Sequence, residues 1–235
     1  MRKKRRQGII FGSIFLAVMV TAGVPAVTAG VGGNRKMEKD VIKLPVVKPI
    51  GKMSIEQAIS NRRSRRKFKD KPLKQRDLSH ILWAAQGITA ESGFRVTPSA
   101  GATFPLTLYV VIGRVDDILP GVYRYRPEGH CLKAMSDKDL RSKLALRALG
   151  QDMIAKAPVS IVIAADYKRT TDRYGKRGIR YVDMEAGHAS QNIYLECESL
   201  GLGTCAVGAF ADRIVKELLG ITEDPLYIMP IGFPQ

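Results

Sequence analysis

From Ser54 onward the sequence alternates helical and strand periodicities, but around a hairpin that breaks any regular βαβ rhythm. Val122 to Tyr125 and Cys131 to Ala134 flank Pro127-Glu128-Gly129-His130, as the arms of a short hairpin do. Leu106 to Ile112, Val159 to Ala165, Thr204 to Val207 and Leu226 to Gly232 are further strand-like runs. Helical spacing begins with Ile55, Ala58 and Ile59 behind Ser54-Ile55-Glu56-Gln57, a capping box in which the Ser hydroxyl and Gln amide exchange hydrogen bonds with backbone N–H groups. It returns at Leu78, Ile81, Leu82 and Ala85, where Gly87 supplies the stop, and again over Asp137 to Leu149. A long helix is expected from Tyr181 to Leu200 and a shorter one from Asp212 to Leu219, ended by Gly220. This interleaving predicts a single α+β domain over residues 53–235, a mixed sheet flanked by helices.

The 235 residues carry a net charge of +16, which invites a nucleic-acid reading until its distribution is examined. Five of those charges sit in Arg2-Lys3-Lys4-Arg5-Arg6, and eight more between Arg62 and Arg76, leaving three for the rest of the chain. Two local patches are not a general basic coat, and Phe68 is the one aromatic residue in the second, so base stacking has little support and no nucleic-acid partner is expected. A membrane-tethered module that binds flavin or a polyanion through the second patch, without catalysis, stands as an alternative.

The first patch precedes Gly8 to Val24, seventeen uncharged residues closed by Pro25 and by small residues at Val27-Thr28-Ala29. This is the pattern of an export signal, and the apolar run is also at the lower limit for a membrane span. Residues 1–29 are therefore read as a signal peptide or a membrane anchor, with the protein exported or anchored at the extracytoplasmic face. Residues 30–52, broken by Gly30, Gly32, Gly33, Pro45 and Pro49, are read as a linker. Three cysteines without a C-x-x-C pair exclude a thiolate zinc site, and His80, His130 and His188 are too dispersed for a multi-histidine metal centre.

The second patch opens with Asn61-Arg62-Arg63-Ser64-Arg65-Arg66-Lys67-Phe68. Guanidinium forks and a neutral hydroxyl are suited to grip phosphate oxygens. Pro98-Ser99-Ala100-Gly101-Ala102-Thr103-Phe104-Pro105 is a small-residue loop that lets backbone approach a flat ligand. Ala186-Gly187-His188-Ala189-Ser190-Gln191-Asn192 lies on the long helix, and Leu200-Gly201-Leu202-Gly203 follows it, glycine after helix and before strand, the reverse of a dinucleotide fingerprint.

These four segments, in this order, resemble the FMN-dependent nitroreductase superfamily and in particular its branch related to azoline-forming dehydrogenases. The resemblance implies a nitroreductase-like fold over residues 54–234 and a homodimer with FMN at the subunit interface. It places Arg62, Arg63, Ser64 and Arg66 at the flavin phosphate and ribityl chain. Pro98, Ser99, Ala100 and Gly101 meet the flavin of the other subunit, Val207, Gly208 and Ala209 run along the ring, and the Gly208 N–H faces N5. The implied chemistry is ping-pong transfer of two electrons from a reduced donor to a small nitro-, quinone- or enone-like acceptor. The donor is NAD(P)H or, given the leader, a membrane quinol or redox protein.

Two departures matter. Where family members continue past G-[YF]-P to a phosphate-binding Lys or Arg, this sequence reads Gly232-Phe233-Pro234-Gln235. Azoline oxidases use a Lys-Tyr pair before the long helix, and the matching residues are Arg173-Tyr174. Arginine is a poor base, so azoline dehydrogenation on a peptide stays an alternative, and Tyr174 is the one side chain named as a proton donor. His188 is expected to pack or hydrogen-bond within its helix, and the cysteines to sit in the core.

Overall fold

The computed structural model describes residues 41–48 and 51–235. The leader at residues 1–29 and residues 30–40 of the expected linker lie outside the described residues. Among the described residues, no helix is long and apolar enough to cross a membrane.

Seven strands form one sheet among the described residues: β1 (Val41–Lys43), β2 (Leu106–Ile112), β3 (Gly121–Arg126), β4 (Cys131–Ser136), β5 (Val159–Ala165), β6 (Gly203–Thr204) and β7 (Asp224–Gly232). Their spatial order is β1-β4-β3-β2-β5-β7-β6. Every pairing is antiparallel, which corrects the expected mixed sheet. The helical connections into β5 and β7 are long enough to bring the chain back from either end, so local periodicity leaves strand direction open.

The helices are α1 (Ile55–Asn61), α2 (Gln75–Gln86), α3 (Arg141–Arg147), α4 (Asp152–Lys156), α5 (Lys168–Tyr174), α6 (Arg177–Ser199) and α7 (Asp212–Leu219). The capping box at Ser54 forms with both of its hydrogen bonds. The helix expected up to Leu149 is shorter and gives way to α4, because Leu149 and Gly150 turn through positive φ, 58° and 72°. Helix α5 was not legible in Lys168-Arg169-Thr170-Thr171-Asp172-Arg173-Tyr174, which has no apolar stripe; the Lys168–Asp172 pair one turn apart supports it.

Helices cover both faces of the sheet. Leu106, Leu108, Val110 and Ile112 of β2 pack with Leu78, Ile81 and Leu82 of α2 and with Val182, Ala186 and Ile193 of α6. Tyr109 and Val111 point the other way, into a cluster with Leu144, Ile154, Val215 and Leu219. Central β5 is therefore buried at all seven positions. Each large aliphatic side chain enclosed this way contributes about 1.5–3 kcal/mol.

The linker reading also needs correction at its end. Val41, Ile42 and Lys43 pair with Lys133, Leu132 and Cys131, and Leu44 is buried. The Pro45 carbonyl accepts from Ser79 Oγ at 2.6 Å. Prolines and lysines on either side hide a strand that the sheet edge recruits.

Candidate functional site

Helix α1 stops at Asn61, and the basic segment after it runs as a strap along the sheet edge formed by β6. Ser64 bridges Thr204 in parallel, and the Arg65 N–H donates to the Thr204 carbonyl at 2.8 Å. Gly203 is required by close approach: a Cβ there would stand 2.6 Å from the Arg65 stem. The far end of the strap is held by the last residues of the chain, with Lys69 N–H donating to Phe233 O and Gln235 N–H to Lys67 O.

The strap is anchored from beneath by Tyr194 of α6, which is 9% exposed. Its Oη accepts from the Ala206 N–H at 2.8 Å and lies 3.0 Å from Ser64 Oγ. The Arg62 guanidinium sits 5.2 Å above the Tyr194 ring. With Ala206 supplying one proton to the phenol oxygen, the phenol's own proton is available to Ser64, which frees the serine to donate outward. Arg63 folds back onto the Ser60 and Arg62 carbonyls, and Arg65 stands 3.9 Å from Glu198. Arg62 and Arg66 have no carboxylate partner among the described residues.

The segment Val207–Ala209 begins three residues past Thr204. Val207 is buried and exchanges backbone hydrogen bonds with Ile228, both at 2.9 Å. Gly208 and Ala209 are exposed, and the Gly208 N–H has no acceptor among the described residues. Of the residues expected to meet the ring, Val207 thus contributes support from the core, while Gly208 and Ala209 face outward.

The loop carrying Pro98, Ser99, Ala100 and Gly101 meets a different face of α6. Thr97 Oγ1 is 3.3 Å from Asn192 Nδ2, and Ser99 stands beside the Glu185 carboxyl. Asn192 and Tyr194 differ by two residues, about 200° around the helix, so loop and strap lie on opposite sides of it. One copy of the chain does not bring them together. The loop does gather Tyr174: Arg173 Nη1 donates to Gly101 O at 2.8 Å, and the Tyr174 ring packs edge-on against Tyr181 with centroids 5.2 Å apart. Gly101 adopts φ 60°, and a Cβ there would lie 2.5 Å from Tyr174 Oη.

Tyr194 and Glu185 are functional candidates that pattern reading missed. Both read as ordinary positions on the buried stripe of a long helix, and only the fold shows what they face. Burial pushes the Glu185 carboxyl up to about 7, against the pull of Ser99, Arg95 and Arg169. His188, expected to pack or hydrogen-bond within the helix, is exposed. Cys131, Cys197 and Cys205 are free and buried, and burial pushes the Cys197 thiol well up.

The donor set at the strap fits a phosphate ester: unpaired guanidiniums, a hydroxyl held by a phenol, and the buried Thr204 Oγ1, which lacks a partner. An exposed amide N–H a few residues along adds a donor for the polar edge of an attached ring.

The model of the nitroreductase family matches residues 59–233. The Methanocaldococcus jannaschii protein named "Putative nitroreductase MJ1384" is 50% identical over 191 residues, 81% of this chain and 95% of that one. The crystal structure of a "putative nitroreductase (reut_a1228)" from Ralstonia eutropha JMP134 has TM-score 0.73 at 32% identity, covering 83% of this chain and 90% of the other. The FMN reductase [NAD(P)H] of Bacillus subtilis strain 168 is 25% identical over 187 residues, 74% of this chain and 61% of that protein. The chain belongs to the nitroreductase family, and with it to the flavin-dependent oxidoreductases.

Proposed function

We propose that two copies of the chain bind FMN at their boundary and pass two electrons from a reduced donor to a small nitro-, quinone- or enone-like acceptor. The observation that carries this reading is the set of unpaired donors along one edge: Arg62 and Ser64 are locked by Tyr194, and the free Gly208 N–H lies four residues past Thr204, the residue on which Ser64 is bridged. Arg62, Arg63 and Arg66 offset the phosphate charge, and Ser64 adds a neutral hydrogen bond. The Gly208 N–H is positioned to donate to the ring at N5, while Ala209 continues along it and buried Val207 keeps water from beneath. When bound, the flavin takes up and returns two electrons as a hydride.

The Pro98–Gly101 loop closes the site of the other copy, since it lies on the far face of α6 from its own strap. That loop brings the Tyr174 hydroxyl with it, as the group that holds a proton near the acceptor. Arg173 replaces the lysine of azoline oxidases and is committed to the Gly101 carbonyl, so a hydride acceptor is favoured over azoline dehydrogenation on a peptide. The donor is NAD(P)H, in keeping with the name of the Bacillus relative. If residues 1–29 export or anchor the chain at the extracytoplasmic face, a membrane quinol or redox protein takes that place.

The absorbance spectrum of the purified full chain, followed by acid release of the chromophore, tests the cofactor. Arg62→Ala combined with Arg66→Ala should strip FMN; stoichiometric retention would place the phosphate site elsewhere. Rapid bleaching by NADPH and none by quinol selects the nicotinamide donor, and the converse selects the quinol.

A further inference from the structure

Strands β2 and β3 part company before either ends. Their pairing stops at Tyr109 opposite Arg124. Yet β2 stays paired with β5 as far as Leu106–Ala165, and β3 stays paired with β4 as far as Arg126–Cys131. The sheet is thus split at one end, and a cavity of about 310 Å³ opens there.

Four arginines line the split: Arg95, Arg124, Arg126 and Arg169. Two of them are answered by carboxylates, Arg124 by Glu223 at 3.2 Å and Arg95 by the exposed Glu128 at 3.5 Å. Arg126 and Arg169 have no carboxylate within ion-pair distance among the described residues. Arg169 donates to the Phe104 carbonyl at 2.7 Å, which holds its head at the cavity. Two donors of lining residues also lack an acceptor: Nε2 of Gln86, a residue 1% exposed, and Nε of Arg95, whose Nη1 is fixed on Gln86 Oε1 at 2.7 Å. Four guanidiniums around one small opening repel one another unless an anion joins them, and against Glu223 and Glu128 the surplus is two positive charges while the nearby Glu185, whose carboxyl is pushed up to about 7, holds its proton. A phosphate group concentrates two negative charges on one set of oxygens, which suits a slot of this size better than a dicarboxylate with its charges apart.

We infer that the split between β2 and β3 is a binding site for a phosphate dianion, held by Arg95, Arg124, Arg126 and Arg169 and separate from the strap. The source is inorganic phosphate or the phosphate of a small monoester, and the two are distinguished by titration.

Isothermal titration calorimetry on the full chain saturated with FMN, so that the strap is filled, compares inorganic phosphate, glucose 6-phosphate and malate. Phosphate-bearing probes should bind and malate more weakly; tighter binding of glucose 6-phosphate selects the ester, and tighter binding of phosphate selects the free ion. Arg126→Gln with Arg169→Gln, both at exposed positions, should weaken binding at least about tenfold with the melting temperature retained. Arg126→Glu, which leaves the Arg169–Phe104 contact in place, should abolish it. Titrated without FMN, the variant Arg62→Ala with Arg66→Ala, whose strap no longer offers these two guanidiniums, should bind phosphate at the split as tightly as the FMN-saturated native chain. Malate matching the phosphates, no heat from either phosphate up to about 10 mM, full affinity in the Arg126 and Arg169 variants, or loss in the strap variant would each overturn the assignment.

Discussion

The hydroxyls of Ser64 and Tyr194 lie 3.0 Å apart, joining the basic strap to the long helix across 130 residues of sequence. The same phenol accepts from the Ala206 N–H and lies beneath the Arg62 guanidinium. One side chain therefore sets the position of two donors expected at the phosphate and of the segment leading to Gly208.

Tyr194→Phe keeps the ring and removes the oxygen. The Ala206 N–H loses its acceptor, costing about 1–2 kcal/mol of stability, and Ser64 is freed to rotate. FMN affinity should fall about three- to tenfold, as measured by quenching of flavin fluorescence on titration into the apoprotein. Unchanged affinity would mean that Ser64 does not depend on the phenol.

Gly101→Ala places a methyl group against Tyr174 Oη at a residue whose φ is 60°. Left-handed backbone costs alanine about 1 kcal/mol, and relief of the clash must displace the Arg173–Tyr174 end of α5. Turnover should fall more than flavin content does, since the variant leaves the strap untouched. Steady-state rates normalised to bound flavin check this, and loss of flavin in proportion to activity would contradict it.

Glu185 makes stability depend on pH. Its carboxyl titrates near 7 in the folded protein, above the ordinary value of 4.5, because it is buried. The folded state therefore holds the proton over a window in which the unfolded chain has released it. The stabilisation is fully present below about pH 4.5 and is lost as pH rises towards 7, on the order of 1–3 kcal/mol in all. Urea midpoints across that window should fall for the native protein and run flatter for Glu185→Gln.

A chain beginning at Met53 should be less stable than one beginning at Asp40, because it lacks β1, the buried Leu44 and the Pro45 carbonyl that receives Ser79. The loss should lower the melting temperature by about 5–10 °C. Equal melting temperatures would show that the β4 edge does not depend on its neighbour.

Much of this architecture is written locally, and the part that is not has physical causes. Strands β2 and β5 have the bounds their β-branched runs suggest, and the Ser54 box forms as its spacing requires. Helix α5 has no apolar stripe to read, and β1 is a three-residue edge whose pairing depends on β4 being in place. At the site, the arginines, the glycines and the small-residue loop are recognisable by type. Tyr194 and Glu185 are not, because a tyrosine or glutamate on a helical stripe acquires a role only from the element that packs on it. The split between β2 and β3 is invisible for the same reason: register belongs to pairs of strands, and neither strand carries the signal alone.

The disposition of α6, with the strap on one side and the small-residue loop on the other, makes solitude costly under the two-copy site proposed above. On that proposal a lone copy owns two incomplete halves that its own rigid rod keeps apart. Upon dilution below the self-association threshold, specific turnover should decline with concentration rather than stay constant, and an excess of a strap-defective copy should rescue a loop-defective one by forming a mixed pair.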